Sequence, residues 1–124
     1  MNRPRWNPDG TRVAHNVLVA GRTRVQVVPV RGGPAVVLTP AGESETLTGW
    51  VPDGSAVEVV RREGDAWVLR RRDPATGVAG ELVATGVTAA ARAPAGELFV
   101  VRTGVAGIWR PDAGGDKDRK STRL

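Results

Sequence analysis

One turn motif is repeated along this chain and limits what it can fold into. Trp-x-Pro-Asp-Gly stands at 6–10 and again at 50–54, and a degenerate copy, RAPAG, stands at 92–96. The three prolines of these copies lie 44 and then 42 residues apart. A fixed period of about 20 to 50 residues is typical of solenoids, propellers and other repeat architectures. A chain of 124 residues therefore holds about three copies of one structural unit.

Each unit is predicted to contain four short strands. Apolar or alternating runs follow the three turns, namely RVAHNVLV from Arg12, AVEVVRR from Ala56 and ELFVVR from Glu97. Such runs predict half-buried strands, and a second, a third and a fourth strand complete each period. The 16 Gly and 9 Pro recur too often for long helices. Four strands in one such period match the size of one β-propeller blade.

The residues of the turn motif have structural roles. Proline fixes φ near about −65°, aspartate accepts hydrogen bonds from nearby backbone N–H groups, and glycine adopts the positive φ that closes the turn. The structural turn residues predicted on this basis are Pro8, Asp9, Gly10, Pro52, Asp53 and Gly54.

With the blades laid out, the repeats resemble those of TolB-like propellers and of the six-bladed N-terminal propeller of tricorn-type proteases. The resemblance covers about residues 3–115. In the first copy it rests on Trp6, Pro8, Asp9, Gly10, Gly32, Gly33, Leu38 and Thr39, and in the second on Trp50, Pro52, Asp53, Gly54 and Trp67. The third copy departs from the pattern, with Arg92 in place of Trp and Ala95 in place of Asp. The resemblance implies an all-β fold of antiparallel four-stranded blades, about three per chain.

The predicted domain boundaries follow the repeats. Residues 1–115 form the three blades, at approximately 3–39, 46–85 and 88–115. The polar, charged tail at 116–124 is either an outer strand that completes the third blade or a disordered end. Disorder is favoured because residues 116–123 include no apolar side chain.

Three blades cannot close a propeller, which typically has four to eight. Three solutions are open: the chain is a fragment of a longer protein, two three-bladed arcs form one six-bladed ring, or the chain adopts a different small β-fold. The expected partners are therefore a second copy in a homodimer, or further blades of a longer chain.

Residue content argues against catalysis. The absence of Cys excludes a disulfide, a thiolate metal site and a cysteine nucleophile. The single histidine, His15, aligns with Val59 of the second copy, so we expect a packed strand residue. No G-x-S-x-G elbow and no phosphate-binding loop occur, and Glu43 and Glu45 are predicted to lie in a solvated loop. We therefore expect no enzyme activity, no catalytic residue, no metal and no cofactor.

Charge gives a limited prediction about binding. The net charge is +5, but the basic runs Arg61–Arg62 and Arg70–Arg72 are placed at opposite ends of one hairpin, about 17 Å apart. The sequence has no Tyr and one Phe, which disfavours the stacking surface used for nucleic acid. Propellers bind through their loops and channel. The candidate ligand-binding residues, expected to face a polar channel, are Arg3, Arg5 and Arg92.

Two functions are compatible with this sequence. The first is a non-catalytic binding or scaffolding module for a protein or peptide partner. The alternative is an accessory, substrate-filtering propeller segment of a tricorn-type or prolyl-oligopeptidase-type hydrolase, whose catalytic residues lie on another domain. The N-terminus has no apolar signal segment and no stretch of about 18 apolar residues occurs, which predicts a cytoplasmic protein without a membrane span.

Overall fold

The described part of the chain consists of strands joined by turns. The computed structural model describes residues 4–93, 95–102, 108–111 and 118–121. Within these ranges no helix is long and apolar enough to cross a membrane. The strands are β1 (Arg5–Trp6), β2 (Arg12–Val19), β3 (Arg22–Pro29), β4 (Val36–Val37), β5 (Glu45–Trp50), β6 (Val57–Glu63), β7 (Ala66–Arg72), β8 (Ala79–Thr85), β9 (Val87–Arg92), β10 (Leu98–Arg102), β11 (Ile108–Pro111) and β12 (Asp118–Ser121).

The strands form three antiparallel sheets of four, each with its strands in sequence order. We name them blade 1 (β1–β4), blade 2 (β5–β8) and blade 3 (β9–β12). This arrangement confirms the predicted all-β fold of four-stranded propeller blades. The third option, a different small β-fold, is therefore set aside.

The tail differs from the favoured prediction. Asp118–Ser121 form β12, which pairs with Ile108–Pro111 of β11, so disorder is the wrong prediction for these four residues. Blade 3 accordingly extends past residue 115. The reason is physical: an outer strand is held by backbone hydrogen bonds to its neighbour, and these do not require apolar side chains. The rest of the predicted tail lies outside the described residues.

The turn motif has the same backbone geometry in all three blades. The N–H of Gly10 donates to the carbonyl of Asn7 at 3.0 Å, and Gly54 and Gly96 make the equivalent bonds, each at 2.8 Å. Blade 3 thus keeps the turn although it lacks the aspartate. The backbone alone satisfies the closing hydrogen bond.

The aspartates of the first two turns brace the residue that follows the glycine. Asp9 Oδ1 accepts from the backbone N (3.0 Å) and the hydroxyl (2.6 Å) of Thr11. Asp53 Oδ1 accepts in the same way from Ser55, at 2.9 and 2.6 Å. The hydroxyl bond first, and then the backbone bond, hold the pKa of each carboxyl below its ordinary value of 3.8.

Successive turns stack on one another. A Cβ added at Gly54 would lie 3.3 Å from Cδ of Pro8, and one added at Gly96 would lie 3.2 Å from Cγ of Pro52. Pro8 of blade 1 and Pro52 of blade 2 therefore each pack on the glycine of the next blade's turn. Glycine is required there for two reasons, the positive φ (+77° and +95°) and the close approach.

The apolar core lies between the blades. One buried cluster joins blades 1 and 2, and a second joins blades 2 and 3. The first consists of Ala14, Val25, Val27, Leu38, Leu47, Trp50, Val57 and Val59. The second consists of Val60, Leu69, Ala84, Val87 and Val100. Each blade is thus stabilised chiefly by burial of its faces against its neighbours.

Candidate functional site

The first strands of the three blades converge on one cavity. Strand β5 contacts both β1 and β9, so the inner strands lie side by side. Where they meet, they enclose a cavity of about 440 Å³. Its lining combines charged, aromatic and small residues, among them Arg5, Trp6, Thr48, Trp50, Glu58 and Arg92. The prolines Pro4, Pro8 and Pro52 contribute further apolar surface.

Two of the three sequence-predicted arginines reach this cavity. Arg5 is exposed on β1, and none of the salt bridges between described residues includes its guanidinium. Arg92 lies at the end of β9 and is half-buried. Arg3 lies outside the described residues. The free positive charge of the cavity therefore belongs to Arg5.

The positive charge of Arg92 is neutralised by a buried carboxylate. Nε and Nη2 of Arg92 donate to Glu58 Oε1 and Oε2 at 2.9 and 2.8 Å, a bidentate pair. Nη1 donates to the carbonyl of Gly96 at 2.7 Å. Glu58 is only 1% exposed. Arg92 thus joins blade 3 to blade 2 and presents only part of its surface to the cavity.

Trp50 is fixed on the blade 1 side of the same cavity. Its indole N–H donates to the carbonyl of Arg5 at 2.8 Å. The guanidinium of Arg12 lies 5.3 Å from the ring centroid, within the range of a cation–π contact. The aromatic wall of the cavity is therefore held by blade 1 from two directions.

A second polar cluster lies deeper between blades 1 and 2, and it corrects the prediction of a solvated Glu45. The Glu45 carboxylate is buried and accepts from Arg72 Nε at 2.9 Å and from Arg72 Nη2 at 2.6 Å. It also accepts from the hydroxyl of Thr39 at 3.0 Å, and that hydroxyl accepts from the backbone N of Val25 at 2.9 Å. This chain of bonds ties blade 1 to blade 2. Glu43, in contrast, remains partly exposed, with a side chain 40% accessible, and pairs with Arg61.

The two basic runs of the β6–β7 hairpin share one acidic partner. Arg61 and Arg70 lie diagonally across β6 and β7 on the same face, and both contact the carboxylate of Glu63. The hydrogen bond from Arg70 is the main reason that the pKa of Glu63 is held below its ordinary value of 4.5. The basic runs are therefore largely paired with acids.

His15 and the remaining acidic residues form no second site. His15 is half-buried on β2, opposite Gln26 of β3. Over the described ranges, no group of three His, Asp or Glu side chains is placed to hold a metal ion.

The sequence did not predict the two buried acids that pair with arginines, Glu58 beside the cavity and Glu45 in the second cluster. Glu58 interrupts the otherwise apolar run AVEVV, at a position where Ala14 stands in the first copy and is fully buried. A charge at a repeat position that is apolar elsewhere is the signal that would have identified it. Arg92, which replaces the repeated Trp, is the matching signal on the neighbouring blade.

The comparisons with known proteins agree on the repeat type. Tricorn protease homolog 1 of Streptomyces coelicolor is 47% identical over 55 residues, which are 44% of this chain and 5% of that protein. A putative TolB from Agrobacterium tumefaciens superimposes with a TM-score of 0.76 at 22% identity, over 96% of this chain and 45% of that one. TolB from Acinetobacter baumannii gives 0.72 at 20% identity, over 97% and 32%. No protein-family model matches the chain.

These similarities confirm the predicted resemblance to TolB-like and tricorn-type repeats, and with it the β-propeller fold. The chain spans less than half of either TolB structure and about a twentieth of the tricorn homologue. At 22% and 20% identity, the two TolB structures show that the fold is shared.

Proposed function

We propose that this chain is a non-catalytic propeller module that binds an extended protein or peptide segment at the cavity of the inner strands. The observation that carries the proposal is the composition of that cavity. It offers one guanidinium without an acidic partner among the described residues, Arg5, beside the aromatic and proline surfaces of Trp50 and Pro52. Such a lining supplies binding energy and orientation.

The charge of the cavity favours an acidic segment. Glu58 is occupied by Arg92, so the lining carries the net positive charge of Arg5. An Arg guanidinium donates two parallel hydrogen bonds to a carboxylate. Prolines and tryptophans pack well against extended chain, as in other grooves that bind peptides. A peptide with a glutamate or aspartate next to apolar residues fits this arrangement.

The experiment is a titration of the uniformly ¹⁵N-labelled protein with two pools of hexapeptides. The pools are identical except that one has a central glutamate and the other a central glutamine. We expect the glutamate pool to shift the indole N–H of Trp50, which lines the cavity, and to leave that of Trp67 in place. Trp67 lies at another surface of blade 2 and serves as the internal reference.

A matched pair of variants tests the role of Arg5. R5S removes the cavity charge, whereas R22S removes an exposed arginine at the start of β3, away from this cavity. R5S should abolish the preference for glutamate and R22S should preserve it. Equal response to the two pools, or loss of binding in R22S alone, would contradict the proposal.

A second function, the accessory propeller of a tricorn-type or prolyl-oligopeptidase-type hydrolase, is favoured by one observation, the 47% identity to the tricorn protease homologue over 55 residues. In that case the same cavity would admit peptide substrates to a catalytic domain elsewhere in the protein. An antibody raised against this chain would then detect a native protein much larger than 13.1 kDa. Detection at 13.1 kDa would exclude it. The cytoplasmic location stays a prediction.

A further inference from the structure

Among the described residues, nothing covers the outer side of blade 1 in the way that blade 1 covers the same side of blade 2. Ala14 belongs to the cluster shared with blade 2, so its strand neighbours Val13 and His15 point to the opposite side of the blade. We call the surface of Trp6, Val13, His15 and Val17 the leading flank. Trp6 is 60% exposed, whereas its repeat equivalent Trp50 is 7% exposed because blade 1 covers it. A Cβ at Gly10 would likewise meet nothing within 4 Å, although Gly54 and Gly96 are both covered by a proline.

The described residues of β9 and β10 leave an apolar side of blade 3 uncovered as well. Val100 and Ala90 pack on the core shared with blade 2, so the alternate residues of β9 and β10 point away from it. We call the surface of Ala89, Ala91, Phe99 and Val101 the trailing flank. Phe99 is half-buried and the other three are exposed. The side chains of this flank are small on β9 and large on β10, which leaves room for a large side chain of a partner above the alanines.

The two existing interfaces indicate which side chains must match. Strand β1 pairs Trp6 with Val13, β5 pairs Trp50 with Val57, and β9 pairs Arg92 with Leu98. The residue that follows Val13, Val57 or Leu98 in the sequence lies on the side of the next blade. Those residues are Ala14, Glu58 and Phe99.

In the two interfaces these residues are matched by polarity. Ala14 of blade 1 shares a buried apolar cluster with Trp50 of blade 2. Glu58 of blade 2 forms an ion pair with Arg92 of blade 3. The apolar Trp6 therefore requires an apolar residue on the blade that precedes it, and Phe99 of the trailing flank meets that requirement. A blade that ended in a glutamate at this position would not.

We propose that the trailing flank of one copy of this chain packs on the leading flank of a second copy, and that this contact occurs twice, so that two chains close one six-bladed ring. A head-to-tail contact that closes generates a finite ring with no open flank. Six blades lie within the range of four to eight that propellers adopt, and a third copy would exceed it. The cavity of the inner strands then becomes part of a channel to which both copies contribute. This proposal is independent of the peptide-binding function.

The test uses a charge exchange copied from the Glu58–Arg92 pair. Light scattering with size-exclusion chromatography should give the wild type twice the 13.1 kDa mass of one chain. W6R and F99E should each run at the mass of one chain, because a charge then faces an apolar residue at both contacts. An equimolar mixture of the two should regain the double mass, since one contact becomes Arg–Glu and the other is wild type.

The control is L18R. Leu18 is 75% exposed but lies on the side of Ala14, outside both flanks, so L18R should keep the double mass. A measurement that needs no variant is the indole N–H resonance of Trp6, which should move on dilution of the wild type while that of Trp67 stays. A wild type at the mass of one chain at every concentration, or at any other multiple, overturns the proposal. So does a mixture of folded W6R and F99E that stays at the mass of one chain; in that case the flank awaits further blades of a longer polypeptide.

Discussion

Replacement of Glu45 by glutamine should destabilise the protein by about 3 kcal/mol, in the range found when one member of a buried ion pair is removed. The side chain of Glu45 is 0% exposed and that of Arg72 is 5% exposed. The carboxylate accepts from two nitrogens of Arg72, from the Thr39 hydroxyl and from Arg61. Glutamine has the same shape but keeps one acceptor oxygen, and its NH₂ group faces guanidinium donors. The buried positive charge of Arg72 is left without a counterion.

Chemical unfolding in urea, followed by tryptophan fluorescence and far-UV circular dichroism, measures this effect. A loss of 3 kcal/mol is a large part of the roughly 5–15 kcal/mol that stabilises a domain, and it should lower Tm by about 10 °C or more. Protein concentration is held constant, because association with a second copy would add to the apparent stability.

The matched control is E81Q. Glu81 also bonds an arginine, Arg71 at 3.2 Å, but its side chain is 66% exposed. Exposed pairs of this kind contribute about 0–1 kcal/mol. If E45Q lowers the free energy of unfolding no more than E81Q does, the buried ion pair of blade 2 contributes no more than an exposed one, and the reasoning is refuted. A Met–Met replacement of Glu45 and Arg72 should cost less than E45Q alone, because it removes both charges.

Three further outcomes are expected. G54A should lower the free energy of unfolding in urea by about 1 kcal/mol or more beyond the effect of G42A. Both glycines have φ near +80°, but only a Cβ at 54 would meet a neighbouring proline. Equal losses of stability in the two variants would contradict the packing of the turns on each other. W50F should lose about 1 kcal/mol through the lost hydrogen bond to the Arg5 carbonyl, and an unchanged urea midpoint would contradict the contact. Acid should destabilise the fold. A carboxyl whose pKa is lowered on folding contributes its full stability above its unfolded pKa, which is 3.8 for Asp and 4.5 for Glu. That stability is lost as the pH falls through the pKa of the folded state. These carboxyls are Asp9, Asp53, Glu63 and Asp73. A D9N/D53N variant should show a shallower loss below pH 4, and an identical acid slope would argue against the aspartate braces.

The repeat and its turns were predictable because they depend on local chemistry. Proline and glycine fix backbone angles wherever they occur, and the period of the motif follows directly from the sequence. The turn of blade 3 survives without its aspartate because the bond from Gly96 to Ala93 is made by the backbone. The alternation of apolar and polar residues between the turns then predicts four strands in each period.

The buried acids could not be predicted in the same way, because their partners are distant in sequence. Glu45 bonds Arg72, 27 positions later, and Glu58 bonds Arg92, 34 positions later. Each acid, taken alone, is of a residue type that usually lies in solvent. The folding of β5 and β7 into one sheet brings Arg72 to Glu45, and the packing of blade 3 on blade 2 brings Arg92 to Glu58. The composition of the tail likewise led to a wrong prediction of disorder for β12, because this strand is held by backbone pairing with β11.

The two interfaces between blades use different chemistry, and we infer that this difference fixes the order of the blades. Sheets of similar shape in a repeat protein can pair in the wrong order during folding. Here a wrong order that placed Glu58 of blade 2 against Trp6 of blade 1 would bury a carboxylate without a counterion, which costs several kcal/mol. The correct pairing gives Glu58 the fork of Arg92 and gives Trp50 the apolar surface around Ala14. The buried ion pairs thus need not add much net stability to be useful, because they make the alternative arrangements unfavourable.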